Sequence, residues 1–325
     1  MIQKKKYMNK NDNALKMEIL ANGITKEALL KYYNESDFNY RNFDNLTKFI
    51  SFNDDSKLNQ IKLMSLRKNL LYLADIKEFN DPLEGSFYVE ESYNNFDKTI
   101  IANKIRECQS HFKVCSLNTY NENNIFHKMN MWSYYANSHN GICIEYDSLL
   151  SNYISNTFDL ENILSENDLF MSCSLFNINY SINKVCVDDN YIDSAYNNNF
   201  KAIETLLTKG KEWKTEQECR LIVDIKNEYS KNYLEIIDGK TYIKAPPIKK
   251  IYLGCKLDIN IKKEIVKMAN LDIVNIHNIV ELEGDDIKYF LRKKKFDYKA
   301  FLLKVKNENL SQEERDFFSL INKSY

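Results

Sequence analysis

Acidic and basic side chains with the spacing of a β-strand stand in one short stretch of the sequence, Trp213–Val223. Within it, Glu216, Glu218 and Arg220 occupy every second position. Because successive side chains of a strand point to opposite faces, we expect these three on one face and Cys219 on the other. Such a face can orient a substrate hydroxyl and stabilise a developing cation. The plainer interpretation is a solvated strand face with ordinary ion pairs, which contribute little stability.

A second stretch that can do chemistry covers residues 131–141. Trp132, Tyr135 and His139 fall on one face of a predicted helix that extends from Ile125 to His139. A glycine at position 141 suits the end of this helix, whose dipole would favour the charged form of the His139 imidazole. We therefore expect His139 at the edge of a cleft, while a packed or capping histidine is the commoner role.

A third stretch, Phe79–Glu84, has the pattern of a helix start. Asp81 would be the N-cap, Pro82 the first helical residue and Glu84 the acidic member of a capping box. Capping alone accounts for these residue types. The polar side chains of Asn80, Asp81 and Glu84 are nevertheless candidates for a binding site.

The elements that must position these residues are strands and helices of unequal length without a regular βαβ alternation. This arrangement predicts an α+β fold with a mixed, mainly antiparallel sheet and flanking helices. We predict strands at 29–33, 70–74, 112–117, 142–146, 170–178, 183–187, 221–225, 250–253 and 273–282, and helices at 45–69, 125–139, 197–209 and 260–269. Residues 1–25 are predicted to be a polar lead-in, 26–284 a single α+β domain and 285–325 a charged helical C-terminal appendix.

Composition narrows the class of protein. The 325 residues include 45 basic and 46 acidic side chains, a formal charge of −1, which argues against a nucleic-acid coat. The basic run Arg292–Lys295 would suit nucleic acid, but a solvated helix face explains it better. No signal peptide or membrane span is predicted, and seven cysteines without a CxxC pair favour a cytoplasmic protein with reduced thiols. No metal site is predicted, and no Gly-rich phosphate loop is present.

These motifs, taken in order, resemble the bacterial family called domain of unknown function 2971. The resemblance extends from about Leu29 to Leu282, and Cys219 departs from it where the family often has an aromatic residue. The blocks that carry it are the opening Leu30-Lys31-Tyr32, Phe79-Asn80-Asp81-Pro82-x-Glu84, Val114-Cys115-Ser116, Met131-Trp132-Ser133-x-Tyr135-Ala136-x-x-His139-x-Gly141, Trp213-x-x-Glu216-x-Glu218-x-Arg220-Leu221 and Ile251-Tyr252-x-Gly254.

The motif order is also similar to that of ADP-ribosyltransferase-like enzymes, and this similarity implies a reaction on NAD. Glu218 would be the catalytic carboxylate that stabilises the oxocarbenium ion as nicotinamide leaves, with Glu216 as its substrate-side partner. Lys31 or Tyr32 would replace the early histidine of such sites in holding NAD. The residues expected to bind the nucleotide are Lys31, Tyr32, Trp132, Tyr135 and Arg220. The ring of either Tyr135 or Trp132 would stack on nicotinamide.

The leading interpretation is therefore an NAD-consuming transferase or NAD glycohydrolase. We expect an effector of bacterial defence or toxin systems, with a nucleotide as its small-molecule partner and a macromolecular acceptor. Two alternatives remain open. One is a non-enzymatic sensor or interaction module in which the acidic and basic motif residues form a structural ion network. The other is a nuclease or hydrolase that uses His139 with Glu84 or Glu218, with or without a metal ion.

Overall fold

The computed structural model describes residues 46–91, 93–120, 122–146, 173–187, 195–226, 231, 233–268, 279–285, 291–294 and 301. The predicted strand 29–33, with the candidate residues Lys31 and Tyr32, lies outside this part, as does most of the C-terminal tail. The chain divides into two compact units. Unit 1 falls within Met1–Lys48, Met64–Asn121 and Tyr146–Pro246, and unit 2 within Phe49–Leu63, Glu122–Glu145 and Pro247–Tyr325.

Helices and strands are both well represented, which confirms the α+β class. The helices are α1 (Ser56–Arg67), α2 (Asn95–Gln109), α3 (Glu122–Ile125), α4 (Met129–Tyr134), α5 (Ala195–Leu206) and α6 (Ile259–Met268), with 3-10 helices at Ile76–Glu78 and Lys211–Glu216. The strands are β1 (Leu46–Ser51), β2 (Leu70–Leu73), β3 (Phe87–Val89), β4 (Phe112–Asn118), β5 (Gly141–Tyr146), β6 (Cys173–Asn177), β7 (Asn179–Ser181), β8 (Val185–Val187), β9 (Thr208–Gly210), β10 (Glu218–Asp224), β11 (Leu234–Ile237), β12 (Lys240–Lys244), β13 (Ile248–Leu253), β14 (Ile279–Gly284) and β15 (Leu291–Lys294). None of the helices in the described part is long and apolar enough to cross a membrane.

The strand that carries the acidic motif, β10, lies in the interior of a sheet in unit 1. It pairs antiparallel with β4 on one side and with β6 on the other. Thr47 of β1 pairs with Asn118 at the far edge of β4. Because both backbone edges of β10 are hydrogen-bonded, the positions of its side chains are well defined.

Helix α5 covers the face of β10 that carries Arg220 and Ile222. Ala202, Ile203 and Leu206 of the helix pack in one buried cluster with Ile222. The plainer interpretation of this stretch, a solvated strand face, is therefore wrong. A period-two pattern shows which residues share a face, but it does not show that a helix lies over that face.

The remaining sheets of unit 1 are small. Strands β11, β12 and β2 form an antiparallel sheet in that order, and the pairs β3 with β8 and β7 with β9 are parallel. The β11–β12 hairpin turns at Asp238-Gly239, where both residues have positive φ, as a two-residue turn of type I′ requires. This hairpin was not predicted.

In unit 2, strands β15, β14, β13 and β5 are neighbours in that order, with β13 and β14 parallel and β14 and β15 antiparallel. The mixed, mainly antiparallel character predicted for the sheet is thus confirmed. The described residues of the basic run in the tail form strand β15 and not a helix, because they pair with β14. Arg292 and Lys294 both form ion pairs with Glu283 of β14. A further strand therefore follows the one that we predicted to be the last.

Two predicted helices are shorter than expected. The segment 45–69 contains strand β1, and α1 starts only at Ser56. Asp55 caps this helix, because its carboxylate accepts a hydrogen bond from the Leu58 backbone N–H at 2.9 Å. The segment 125–139 breaks into α3 and α4. Helix α4 ends at Tyr134, and the three residues 137–139 all have positive φ.

The helix start predicted at Asp81 is a turn. The Asp81 carboxylate accepts from the Leu83 backbone N–H at 2.9 Å, as a helix cap would, but Gly85 follows with φ +67° and ends the turn. Glu84 does not return to the Asp81 backbone, because its carboxylate is bound by Arg220 and Lys209. Ion pairs with residues distant in sequence therefore replace the local capping box.

Candidate functional site

The acidic motif is divided between two elements of unit 1. Glu216 is the last residue of the 3-10 helix Lys211–Glu216, and Gln217 then adopts a left-handed conformation with φ 48° before β10 begins. Only Glu218 and Arg220 are strand neighbours on one face. The backbone carbonyl of Glu216 accepts from Asn118 Nδ2 at 2.9 Å, which ties the 3-10 helix to the end of β4.

Five charged side chains meet beside this turn, and we call them the charged cluster: Glu84, Lys209, Glu216, Glu218 and Arg220. Each of their side chains is 7% exposed or less. The cluster has three carboxylates and two cations, so its formal charge is −1. Such burial is tolerated only when every charge is paired, because removing an isolated ion from water costs several kcal/mol.

Arg220 is the innermost member and its side chain is fully buried. Its Nε donates to Glu218 Oε1 at 2.7 Å, and its Nη2 donates to Glu84 and, at 3.3 Å, to Glu218 Oε2. Its Nη1 donates to the backbone carbonyl of Leu206 at 2.6 Å, which satisfies a carbonyl at the end of α5. The ring of Phe79 lies 4.9 Å from the guanidinium carbon, a cation–π distance.

Lys209 links all three carboxylates. Its Nζ lies 2.6 Å from Glu216 Oε2, 2.8 Å from Glu218 Oε2 and 3.1 Å from Glu84 Oε1. The ring of Trp213 lies 5.3 Å from the same nitrogen. The three donors of the ammonium group therefore each have a carboxylate within reach.

The pKa values in the cluster follow from competition between burial and pairing. Burial alone would raise the pKa of Glu218, but Arg220 and then Lys209 lower it to about 2. Burial would lower the pKa of Lys209, and the carboxylates of Glu218 and Glu84 outweigh it and raise the pKa. The pKa of Arg220 is raised in the same way. All three groups are therefore charged at neutral pH.

A half-buried shell of other side chains surrounds the cluster. Trp213 Nε1 donates to Asp81 Oδ2 at 3.1 Å, which joins the 3-10 helix to the turn that carries Glu84. The backbone N–H of Glu218 donates to the hydroxyl oxygen of Tyr180 at 2.7 Å. Burial first, and then the Glu218 carboxylate, raise the pKa of Tyr180, so this hydroxyl stays protonated.

The candidate residues of the 131–141 block lie in unit 2. Trp132 is fully buried, and its Nε1 donates to the carbonyl of Ile125 at 3.1 Å. Its ring lies parallel to that of His139 with 6.1 Å between centroids, and Tyr135 is half-buried at the C-cap of α4. The expectation that a helix end charges His139 is wrong, because the helix ends five residues earlier and burial, aided by Lys256, lowers the pKa of this imidazole.

The structure thus brings together four of the predicted site residues: Glu84, Glu216, Glu218 and Arg220. Asp81 reaches them through Trp213, and Asn80 is exposed in the same turn.

Sequence reasoning assigned no role to Lys209. The charges of Glu84, Glu216, Glu218 and Arg220 could have predicted it. If three carboxylates and one guanidinium are buried together, a further cation is needed to pair with them. Among the described residues, no group of three or more His, Cys, Asp or Glu side chains has the geometry of a metal site. The interactions that the cluster shows are charge pairing and hydrogen bonding.

Comparison with known proteins gives one family match, over part of the chain, and no activity. Residues 131–221 match the model of the family described as "Protein of unknown function (DUF2971)". No curated protein and no solved structure matches the chain. The matched segment contains the 131–141 block and four of the five members of the charged cluster, and Glu84 precedes it. The resemblance predicted from the sequence is therefore confirmed over residues 131–221, the segment that matches the model of this family of unknown function.

Proposed function

We propose that the chain is a non-enzymatic binding module and that the charged cluster is the structural centre that holds its binding surface in place. The observation that carries the proposal is the engagement of both carboxylate oxygens of Glu218, by Arg220 and Lys209. A substrate hydroxyl would reach this carboxylate only after a cation withdrew. Such a withdrawal would leave buried charges unpaired, at a cost of about 3–5 kcal/mol.

The surface that the cluster holds consists of the turn 79–85 and the 3-10 helix Lys211–Glu216, and we call it the two-segment surface. Asp81 joins the two segments, since its Oδ2 accepts from Trp213 and its Oδ1 accepts from the Leu83 backbone N–H. The side chain of Leu83 is 62% exposed, and that of Trp213 is half-buried. Tryptophan is among the residue types enriched at the centre of protein–protein contacts, and Leu83 adds exposed apolar area on the other side of Asp81.

Charge on the two-segment surface favours a protein partner over a nucleic acid. Lys211 and Lys214 provide two positive charges, and Asp81 and Glu212 provide two negative ones. A nucleic-acid site would instead show a net excess of Lys and Arg, because phosphate contacts dominate the affinity for nucleic acids. The balanced charges and the exposed leucine therefore suit another polypeptide.

Site-specific photocrosslinking tests this proposal in cells that produce the protein from its own gene. A photoreactive residue at Leu83 should give one discrete protein adduct, and the substitution Trp213→Ala should abolish it. The matched control is the same photoreactive residue at Phe96, which is also apolar, 73% exposed and part of unit 1. Adducts of equal yield from both positions would show random collisions and contradict the proposal.

A second candidate is the NAD-consuming transferase or glycohydrolase, and one observation favours it. With a pKa of about 2, Glu218 is ionised at neutral pH. A carboxylate that stabilises an oxocarbenium ion must be ionised. This activity would require the cluster to open so that Glu218 exchanges a cation for the substrate.

Nicotinamide release from NAD separates the two candidates. Wild-type protein, Glu218→Gln and the control Glu235→Gln would be assayed with and without cell lysate as a source of acceptor, and circular dichroism would verify folding. Glu235 forms an exposed pair with Lys68 in the same unit, so its substitution controls for the loss of a carboxylate. Release by wild type and Glu235→Gln, absent in Glu218→Gln, would establish the enzyme. No release by any of the three would favour the binding module.

A further inference from the structure

Three successive non-glycine residues of unit 2 have left-handed backbone conformations. Asn137, Ser138 and His139 have φ values of 46°, 52° and 73°. Side-chain-bearing residues rarely adopt this region, and then usually one at a time. Such a run persists only where the surroundings hold it, and we call these three residues the left-handed turn.

Hydrogen bonds from three neighbouring segments hold the left-handed turn closed. Asn137 Nδ2 donates to the carbonyl of Phe52 at 2.5 Å, and the His139 backbone N–H donates to the carbonyl of Trp132 at 3.2 Å. The Lys256 backbone N–H donates to the His139 carbonyl at 3.1 Å. Gly254 allows this close approach, because a Cβ at that position would lie 2.2 Å from the His139 carbonyl oxygen.

The imidazole of His139 has a buried nitrogen that suits only its neutral form. Among the described residues, no hydrogen-bond partner reaches the buried Nδ1. In the neutral Nε2–H tautomer, Nδ1 is an unpaired acceptor, whereas protonation would place a charged donor there with nothing to accept from it. A buried charged donor without a partner is the costlier of the two.

The neighbours of His139 act on its charge in opposite senses. The titratable side chains on the segments packed against the left-handed turn are Asp54, Asp55, Tyr134, Tyr135, Cys255, Lys256 and Asp258. Asp258 accepts from the Asn260 backbone N–H at the start of α6, and Asp55 accepts from that of Leu58, so both carboxylates are engaged as helix caps. The Trp132 ring would favour an imidazolium, but burial and then Lys256 lower the pKa of His139.

We propose that His139 and the left-handed turn form a pH-sensitive switch in unit 2, closed while the imidazole is neutral and opened when it is protonated. Protonation places a charged N–H in the buried position beside Trp132, and the strain of the turn favours its release. The direction in which stability changes with pH follows from linkage. A base whose pKa is lower in the folded state than in the unfolded state stabilises the folded state when the base is neutral. This stability is fully present above the ordinary histidine pKa of about 6.5 and is lost as the pH falls below it.

The test follows both the proton and the turn. The titration of His139 would be measured by NMR on the full chain with labelled histidine, its signal being the one missing from the spectrum of His139→Gln. Trp132 emission would be measured over the same pH range in a Trp213→Phe background, where it is the remaining tryptophan. We expect one shared midpoint below pH 6.5. One pH unit below that midpoint, about 90% of the emission change should be complete.

A second variant keeps the test decisive if His139→Gln does not fold. Lys256→Gln removes the neighbouring positive charge and retains the histidine and every backbone hydrogen bond of the turn. Both midpoints should rise together toward 6.5 in this variant. A His139 midpoint at or above 6.5 in the wild type, or Trp132 emission that stays constant while His139 titrates, would overturn the proposal.

Discussion

Replacing Glu218 by glutamine removes one charge from a buried cluster and retains the shape of the side chain. The pKa of Glu218 falls from an ordinary 4.5 to about 2 because Arg220 and Lys209 outweigh its burial. At about 1.4 kcal/mol for each pKa unit, this difference corresponds to about 3 kcal/mol of stability at neutral pH. Glu218→Gln should therefore lower the free energy of unfolding by about 3 kcal/mol, within the range for breaking a buried ion pair.

Urea denaturation at pH 7, followed by circular dichroism, measures this loss against a matched control. Glu235→Gln makes the same chemical change in the same unit. The side chain of Glu235 is 45% exposed, and that of its partner Lys68 is 50% exposed. We expect it to cost less than about 1 kcal/mol, because exposed pairs are screened by water. Equal losses in the two variants would refute the reasoning that burial makes the cluster costly to break.

The pH dependence of the same comparison checks the cause. A depressed folded-state pKa contributes stability that is present above the unfolded value near 4.5 and is lost as the pH falls to about 2. The difference between wild type and Glu218→Gln should therefore shrink across that window, because the wild-type carboxylate becomes protonated there. A difference that stays constant from pH 5 to pH 2 would show that lost packing, and not lost charge, explains the variant.

Two further predictions concern the backbone of unit 2, and both are checked by thermal or urea unfolding. Ser138→Gly should stabilise the protein by about 1 kcal/mol because glycine adopts positive φ without strain, whereas Ser133→Gly in α4 should destabilise it by about 0.5 kcal/mol. Gly254→Ala should cost about 3 kcal/mol or more, since its Cβ would lie 2.2 Å from the His139 carbonyl oxygen, while Gly284→Ala meets no atom within 4 Å and should be close to neutral.

The elements that the sequence predicted well are those whose apolar residues recur with the spacing of a strand or a helix. Strands β2, β4 and β13 and helices α5 and α6 lie within a few residues of their predicted positions. Their side chains are buried in the pattern that the periodicity indicates, so local sequence and tertiary packing agree. Nothing in these segments competes with the local preference.

The elements that the sequence predicted wrongly are those where a distant partner decides the local conformation. The capping box at Asp81 lost its acidic member to Arg220, 136 residues along the chain. The helix predicted up to His139 ends at Tyr134, because the following residues bind Phe52 and the segment around Gly254. No pattern within either segment contains this information.

The sequence predicts the residue types of the candidate site, but not whether their side chains are solvated or buried. Spacing placed Glu218 and Arg220 on one face, which the structure confirms, but it gave no sign that α5 covers that face. Whether a charged strand face is solvated or buried depends on the packing of another element. The distinction matters for function, since a buried and fully paired carboxylate holds a structure together, whereas a solvated one is free to meet a substrate.

The charge count of the cluster explains why Glu84 has a different role from the other members. Lys209, Glu216, Glu218 and Arg220 all lie in the matched segment and are neutral as a set of two cations and two carboxylates. Glu84 adds an excess negative charge from outside this segment, and it contacts both cations. An extra buried charge is unfavourable for stability alone. Its effect is instead to fix the position of the exposed turn that precedes Gly85, which is the turn that the proposed binding surface requires.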